Sequence, residues 1–162
     1  MAKVKMTETA LDTIIGICDG FNLLLPADMV ADVVSGVKVT ATEQPQVWQS
    51  GELNWQGMTI PVLSFEQIIK NCHARLRGSH IAIIRATANT DVLPFYAVPT
   101  QSMPIKKLLE SAADLIEEPA NSAFKQVAAT VRVRGVLCLI PEITKIEQRV
   151  ATDIQAQRSV TD

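Results

Sequence analysis

Two pairs of adjacent residues in this 162-residue chain have side chains that could do chemistry. Cys72 precedes His73, which places a thiol beside a base, but adjacent residues of a helix or strand point in different directions. Glu117 and Glu118 are neighbouring carboxylates before a proline, which is more typical of a solvated loop than of a general acid and base. Neither pair predicts a catalytic site.

Sequence motifs for phosphate, acyl-transfer or metal chemistry are also missing. The chain contains no GxGxxG, GxxxxGK[ST], GxSxG or HExxH pattern. Its three cysteines are widely separated, and its two histidines offer no CxxC or HxxxH spacing for a metal ion. We therefore expect no cofactor, no metal and no enzymatic activity.

Composition limits the classes of partner. The net charge of −2 provides no broad positive field for collecting phosphates, so nucleic acid is not an expected partner. No uncharged apolar run reaches the roughly 18 residues needed to cross a bilayer, and the first residues lack the pattern of a signal peptide. We expect a cytoplasmic protein without membrane insertion.

Alternating apolar and polar residues predict a series of antiparallel hairpins. The predicted hairpins are residues 11–18 with 21–25, the stretch GELNWQGMTIPVL around Gly57, residues 79–86 with 92–98, and residues 131–140. Pro61 cannot donate a ladder hydrogen bond, so it should lie at an edge, a bulge or a corner. A weak boundary near residues 71–79 separates two sets of hairpins.

Helices are predicted to be few. Residues 66–75 fit a short helix, and residues 105–116 fit either a helix or a strand followed by a single turn. After Pro141, apolar residues recur every three or four positions up to Ile154, which predicts an amphipathic C-terminal helix. Many short strands with peripheral helices predict an all-β barrel architecture.

A β domain without catalytic residues suggests a protein that binds other proteins. Aromatic and methionine side chains carry much interface energy, and Trp48, Trp55 and Met58 lie close to glycine turns. Trp55 alternates with Leu53 and fits the core equally well. Trp48 lies in a loop before a glycine, where we expect it to be at least partly exposed.

Two segments resemble a known family. LLLPADMVADVV (residues 23–34) and VWQSGELNWQGMTIPVLSFEQII (residues 47–69) resemble the CheW-like domain of bacterial chemosensory coupling proteins. The tryptophan near the turn and the closing VLSFE are most similar to the PilI and ChpC branch of type IV pilus and twitching systems. The resemblance covers roughly residues 10–150, which leaves residues 151–162 as the end of the C-terminal helix and a polar tail.

The resemblance implies both a fold and a role. The fold is all-β, with two small interlocked five-stranded, SH3-like β-barrels, a few short helices and a C-terminal amphipathic helix. The role is that of a non-catalytic adaptor between the tip of a methyl-accepting chemoreceptor and the regulatory domain of a CheA-type histidine kinase. An apolar patch around Val30, with Asp32 at its rim, is expected to contact the kinase, while the corner at Gln56 faces a receptor or a second protein.

The family's contact residues map onto a short part of the chain. Val30 and Asp32 match its kinase-contacting valine and acidic residue, whereas Gln56 stands where the family usually has arginine and Ser64 where it usually has aspartate. The predicted protein-binding residues are Val30, Asp32, Trp48, Asn54, Gln56, Gly57 and Met58.

Two alternatives come from other classes of function. The first is a small β-barrel of OB-fold type that binds nucleic acid or oligosaccharide, which needs a basic groove with exposed stacking aromatics. The second is a hydrolase that uses Cys72 and His73. Low-salt filter binding and alkylation of the cysteines test these two alternatives.

Overall fold

The computed structural model describes residues 11–18, 20–43, 45–72, 80–109 and 115–161. The strands are β1 (Leu11–Cys18), β2 (Phe21–Pro26), β3 (Val30–Ser35), β4 (Gln49–Trp55), β5 (Met58–Leu63), β6 (His80–Arg85), β7 (Phe95–Thr100), β8 (Ile105–Leu109), β9 (Leu115–Glu118), β10 (Val127–Val133) and β11 (Val136–Pro141). The helices are α1 (Phe65–Lys70) and α2 (Ile143–Thr161), and a short 3-10 turn covers Ala27–Met29.

The strands form two sheets. One has six strands in the order β8-β1-β2-β11-β10-β9, and the other has five in the order β3-β6-β7-β5-β4. The predicted all-β fold with few helices and a C-terminal helix is confirmed, although one sheet has six strands where five were predicted. The six-stranded sheet combines β1 and β2 with β8 to β11, and the intervening strands β3 to β7 form the five-stranded sheet.

The predicted boundary near residues 71–79 is wrong. Strands β6 and β7 follow it, but they join the same sheet as β3, β4 and β5, which precede it. Single parallel pairings complete each sheet, Val62 with Ala97 in one and Leu139 with Leu23 in the other. These pairings lie between strands that are distant in sequence, so hairpin patterns do not indicate them.

All four predicted hairpins form. In the second hairpin Trp55 pairs with Met58, and the two residues between them have positive φ angles, 49° at Gln56 and 79° at Gly57. This is the backbone of a type I′ turn, whose twist matches that of the flanking strands.

Pro61 lies on β5 beside a bulge, as the sequence predicts. The register of β4 and β5 shifts between Gln49 and Gly51, and Pro61 faces Glu52. Glu52 exchanges its backbone hydrogen bonds with Thr40 on its other side (2.8 and 2.9 Å). Because Glu52 directs its N–H and C=O away from β5, the proline withdraws no donor from this ladder.

Three apolar clusters lie among the described residues. One lies within the five-stranded sheet and includes Leu53, Trp55 and Ile83. A smaller one, with Val131 and Val133, lies within the six-stranded sheet. The largest brings together residues from both sheets and both helices: Cys18, Phe21, Leu23, Leu25, Trp48, Leu63, Phe65, Ile69, Ala82, Ile84, Ala86, Leu93, Tyr96, Val98, Leu139, Ile146 and Val150.

Local capping residues set both ends of α1. Ser64 caps α1, because its Oγ accepts a hydrogen bond from the Gln67 N–H (3.3 Å). The helix ends at Lys70, since Asn71 adopts a left-handed conformation with φ of 54°. Residues 105–109 form strand β8, which confirms the strand part of the second interpretation of residues 105–116, and Leu115–Glu118 form β9. The predicted single turn is not tested, because residues 110–114 lie outside the described residues.

Candidate functional site

Four of the predicted binding residues lie together at the tip of the β4–β5 hairpin. Asn54, Gln56 and Gly57 are exposed, and Met58 is half-buried against the cluster of the five-stranded sheet. The type I′ turn holds the Gln56 side chain at the most distal point of the hairpin. The tip therefore presents one uncharged amide-rich surface.

Asp32 connects this hairpin to the opposite edge of its sheet. The Trp55 indole Nε1–H donates to Asp32 Oδ2 (3.0 Å), and the Val33 N–H donates to Asp32 Oδ1 (2.8 Å). Strands β3 and β4, which carry Asp32 and Trp55, are the two edges of the five-stranded sheet. The indole–carboxylate hydrogen bond thus joins the two edges into a barrel.

A bulge in β3 separates Val30 from Asp32. Val30 pairs with Ile84 and Asp32 with Ile83, so the register shifts between them. Side chains that pair directly lie on the same face of a sheet, and Ile84 and Ile83 belong to different apolar clusters. Val30 and Asp32 therefore lie on opposite faces, and the expectation of a single patch with Asp32 at the rim of Val30 is wrong.

The expectation that Trp48 is exposed is wrong. Its side chain is only 3% exposed and belongs to the large cluster. Its indole Nε1–H donates to Asp153 Oδ2 on α2 (2.8 Å), and its carbonyl accepts from the Ser64 N–H (2.8 Å). The loop that contains Trp48 is covered by α2, whose packing the local sequence before Gly51 does not reveal.

The two departures from the family pattern have different consequences. Ser64 keeps the helix-capping function that an aspartate would have at the same position, since both residues are preferred N-caps. Gln56 is exposed in the turn and presents a neutral amide where the pattern that this segment resembles has a bidentate cation. Both departures put a neutral side chain where the pattern has a charged one, but Ser64 is half-buried whereas Gln56 is exposed, so the second affects the surface more.

Glu147 is a buried polar centre that the sequence predictions missed. Its side chain is fully buried on α2, where Oε1 accepts from the Thr87 N–H (2.7 Å), the Thr87 hydroxyl (3.1 Å) and the Ala88 N–H (2.7 Å). Its Oε2 accepts from the Tyr96 hydroxyl (2.8 Å). The signal was available, because Glu147 falls on the apolar stripe of α2 beside Ile146.

Burial suppresses the ionisation of one tyrosine and two cysteines in the core. Burial, and then the nearby Glu147 carboxylate, raise the pKa of Tyr96 well above its usual range. Burial likewise raises the pKa of Cys138 to about 11, and burial together with Glu66 raises the pKa of Cys18. Both thiols are therefore protonated at neutral pH and are poor nucleophiles.

The remaining chemical candidates do not assemble into a site in the described part of the chain. Cys72 is half-buried, and His73 lies outside the described residues. Glu118 pairs with Arg132 (2.8 Å) on the surface of the six-stranded sheet. The described residues include no group of three histidine, cysteine or acidic side chains that could hold a metal ion, and none of their helices is long and apolar enough to span a membrane.

The aromatic side chains do not form a stacking surface. The chain has two tryptophans, one tyrosine and four phenylalanines, and all of them are described. Five are buried, while Phe95 and Phe124 are half-buried. An OB-fold type of nucleic-acid or sugar site needs exposed aromatic faces, which this structure does not offer.

Comparison with known proteins identifies the fold. No protein-family model matches the chain, and no curated protein matches it. Among solved structures, the fold is similar to that of the scaffolding protein TtCheW from Thermoanaerobacter tengcongensis, with a TM-score of 0.68 and 12% sequence identity. The similarity covers 89% of this chain and 92% of that chain. The chain therefore has a CheW-like fold.

Proposed function

We propose that this chain is a cytoplasmic, non-catalytic adaptor of bacterial chemosensory signalling that couples chemoreceptors to a CheA-type histidine kinase. The observation that carries the proposal is the CheW-like fold, which extends over most of the chain. The resemblance of residues 23–34 and 47–69 to the coupling-protein pattern supports the same role independently of the fold.

The five-stranded barrel supplies the proposed kinase contact. Val30 is half-buried on β3, an edge strand of its sheet, and its face differs from that of Asp32. We assign Val30 to the apolar part of the contact. Asp32 is assigned a positioning role. It accepts the hydrogen bond of the Trp55 indole and so fixes the hairpin tip relative to β3.

The β4–β5 tip supplies the proposed contact with a receptor or a second protein. Asn54, Gln56 and Gly57 present hydrogen-bonding groups without a formal charge. A glutamine in place of arginine favours a partner surface that is less acidic than the one an arginine would bind. The proposed assignment to the PilI and ChpC branch of type IV pilus systems rests on the tryptophan near the turn and the closing VLSFE. A branch with its own receptor would tolerate the glutamine.

The direct test measures binding to the regulatory domain of a CheA-type kinase encoded beside the gene. For a modest and partly apolar interface we expect a dissociation constant on the order of 1 μM, which corresponds to about 8 kcal/mol. Val30→Glu should weaken binding at least roughly tenfold, because it introduces an unpaired charge into the contact.

Two matched variants control for this test. Leu137→Glu introduces the same charge at an apolar position on the six-stranded sheet, where 41% of the leucine is exposed, and should leave the affinity unchanged. Arg132→Ala on the same sheet should also have little effect. Absence of any complex with the wild-type chain would refute the proposed coupling role.

A further inference from the structure

A groove lies between α1, α2 and the segment at Lys125 and Gln126, and we call it the α1–α2 groove. Its volume is about 440 Å³, within the range of roughly 300–1,000 Å³ that is common for ligand-binding clefts. It shares only Trp48 with the predicted binding residues, so it is separate from the β4–β5 tip.

Backbone hydrogen bonds fix the walls of this groove. The Lys125 N–H donates to the carbonyl of Ile69 on α1 (2.8 Å), and the Glu142 N–H at the start of α2 donates to the Gln126 carbonyl (2.8 Å). Both helices are thereby tied to the same short segment. A groove whose walls are already ordered loses little conformational entropy when it binds a partner.

The groove has an apolar surface that is open at one side. Ile146 and Trp48 form its buried floor, and Ile68 is half-buried along α1. Val47 lies at the groove with 71% of its surface exposed, the highest value among the exposed large hydrophobic residues of the described chain. A partner that covered Val47 would gain hydrophobic free energy.

Positive charge accompanies this apolar surface. Lys125, Lys145 and Arg149 are exposed and line the groove, although the chain as a whole has a net charge of −2. Lys145 forms an ion pair with Glu142 (3.0 Å) on the surface, where such pairs are weak. The described residues that line the groove include no acidic side chain.

The hydrogen bonding of the groove walls also limits the backbone conformation of a bound partner. Strand addition needs an unpaired sheet edge, but here α1 and α2 satisfy their own backbone groups. The Lys125 N–H and the Gln126 carbonyl are already bonded as well. These groups therefore offer no strand edge, and an occupant that satisfies its own backbone, as a helix does, suits the groove.

We propose that the α1–α2 groove binds an acidic amphipathic helix of a partner protein. Apolar side chains on one face of that helix contact Val47 and Ile68, and flanking Asp or Glu side chains pair with Lys125, Lys145 and Arg149. This is a second docking surface, and it does not depend on the proposed coupling of receptor and kinase.

The test uses a synthetic peptide of about 18 residues, long enough to form a helix, with leucine at every third or fourth position and glutamate on the flanks. The chain has two tryptophans, so its ¹H–¹⁵N spectrum contains two indole N–H resonances, which a Trp48→Phe variant assigns. Binding in the groove should shift the Trp48 resonance saturably and leave that of Trp55 unchanged.

Variants of charged and apolar groove residues test which contacts the peptide depends on. Lys125→Glu combined with Arg149→Glu should weaken binding roughly tenfold or more, and Val47→Ser should weaken it several-fold. Lys38→Glu and Val136→Ser, changes of the same kinds at exposed positions outside the groove, should leave the affinity unchanged.

Three outcomes would overturn the proposal. The first is equal binding of a peptide with lysine in place of glutamate, or of a scrambled peptide with the same composition. The second is a shift of the Trp55 resonance instead of the Trp48 resonance. The third is an equal effect of octanoate alone, which would identify a small anionic amphiphile as the occupant.

Discussion

The two sheets hold their polar contacts in different environments. In the five-stranded sheet, the Trp55 indole donates to Asp32 across the two edges (3.0 Å), and Trp55 is only 9% exposed. In the six-stranded sheet, Arg132 and Glu118 pair across neighbouring strands (2.8 Å) with side chains that are 45% and 30% exposed. The first contact closes a barrel in a sheltered place, whereas the second competes with water, so we expect only the first to contribute much stability.

The outer surfaces differ as well. The β4–β5 tip presents polar Asn54 and Gln56, while the six-stranded sheet exposes 60% of Ile116 and 41% of Leu137 on either side of Arg132. Exposed apolar side chains are common on protein surfaces, and their presence alone does not identify a contact. Exposed apolar area therefore does not show which sheet binds a partner. Binding has to be tested by substitutions at defined positions.

The largest expected effect lies where the two sheets are joined. Helix α2 follows β11 of the six-stranded sheet, and Glu147 binds Thr87 and Ala88 just beyond β6 of the five-stranded sheet. Glu147→Ala leaves buried donors unpaired, so it should lower the free energy of unfolding by about 3–5 kcal/mol. Urea unfolding measures this loss. Glu142→Ala on the surface is the control, and an equal loss in both variants would contradict the assignment.

The next effect compares the two polar contacts directly. Asp32→Ala removes the acceptor of the Trp55 indole and should cost about 1–3 kcal/mol. Glu118→Ala removes the partner of Arg132 and should cost less than about 1 kcal/mol. The same unfolding measurement applies to both. If Glu118→Ala were the more destabilising change, the sheltered contact of the five-stranded sheet would not be the one that contributes more stability.

Replacing the turn glycine should lower stability by the same amount in one hairpin of each sheet. Gly57 and Gly135 occupy the same place in their turns, with φ angles of 79° and 86°, and no atom would obstruct an added Cβ at either position. Alanine at each position should therefore cost about 1–2 kcal/mol through backbone strain alone. Thermal unfolding of the two variants should give matching losses, and clearly different losses would show that one turn has an additional role.

The last expected effect is on the pH dependence of stability, and it is absent at neutral pH. Burial raises the pKa of Cys138, in the six-stranded sheet, from 9.0 to about 11. The buried thiol therefore stabilises the fold fully below pH 9.0, and this contribution is lost as the pH rises towards about 11. Unfolding midpoints between these pH values should fall less steeply for Cys138→Ala than for the wild type. Identical slopes would mean that the thiol does not contribute.

Local sequence patterns predicted the local structure well. Alternation and glycine turns identified the four hairpins, and the apolar recurrence after Pro141 identified α2. These signals succeed because hairpins and amphipathic helices depend on residues close together in sequence. The parallel pairings and the mixed origin of the six-stranded sheet depend on residues far apart, and the hairpin patterns did not reveal them.

Two expectations about the placement of predicted binding residues were wrong, because tertiary packing intervenes. Trp48 was expected to be exposed, but α2 covers it and Asp153 accepts its indole hydrogen bond. Asp32 was expected at the rim of an apolar patch around Val30, but a bulge between the two residues places them on opposite faces of the sheet. A bulge and the docking of a distant helix leave little trace in a short segment of sequence. The polar tip at Gln56 was easier to predict, because its exposure follows from the turn itself.

The most direct measurement of the proposed coupling role is hydrogen exchange on this chain, alone and mixed with the regulatory domain of a CheA-type kinase encoded beside its gene. The coupling role and the assignment of Val30 predict that binding protects backbone amides in β3 and in the neighbouring part of the five-stranded barrel. Amides in β9 and β10 should exchange at unchanged rates. Protection confined to β9 and β10, or no protection at concentrations well above micromolar, would contradict the account.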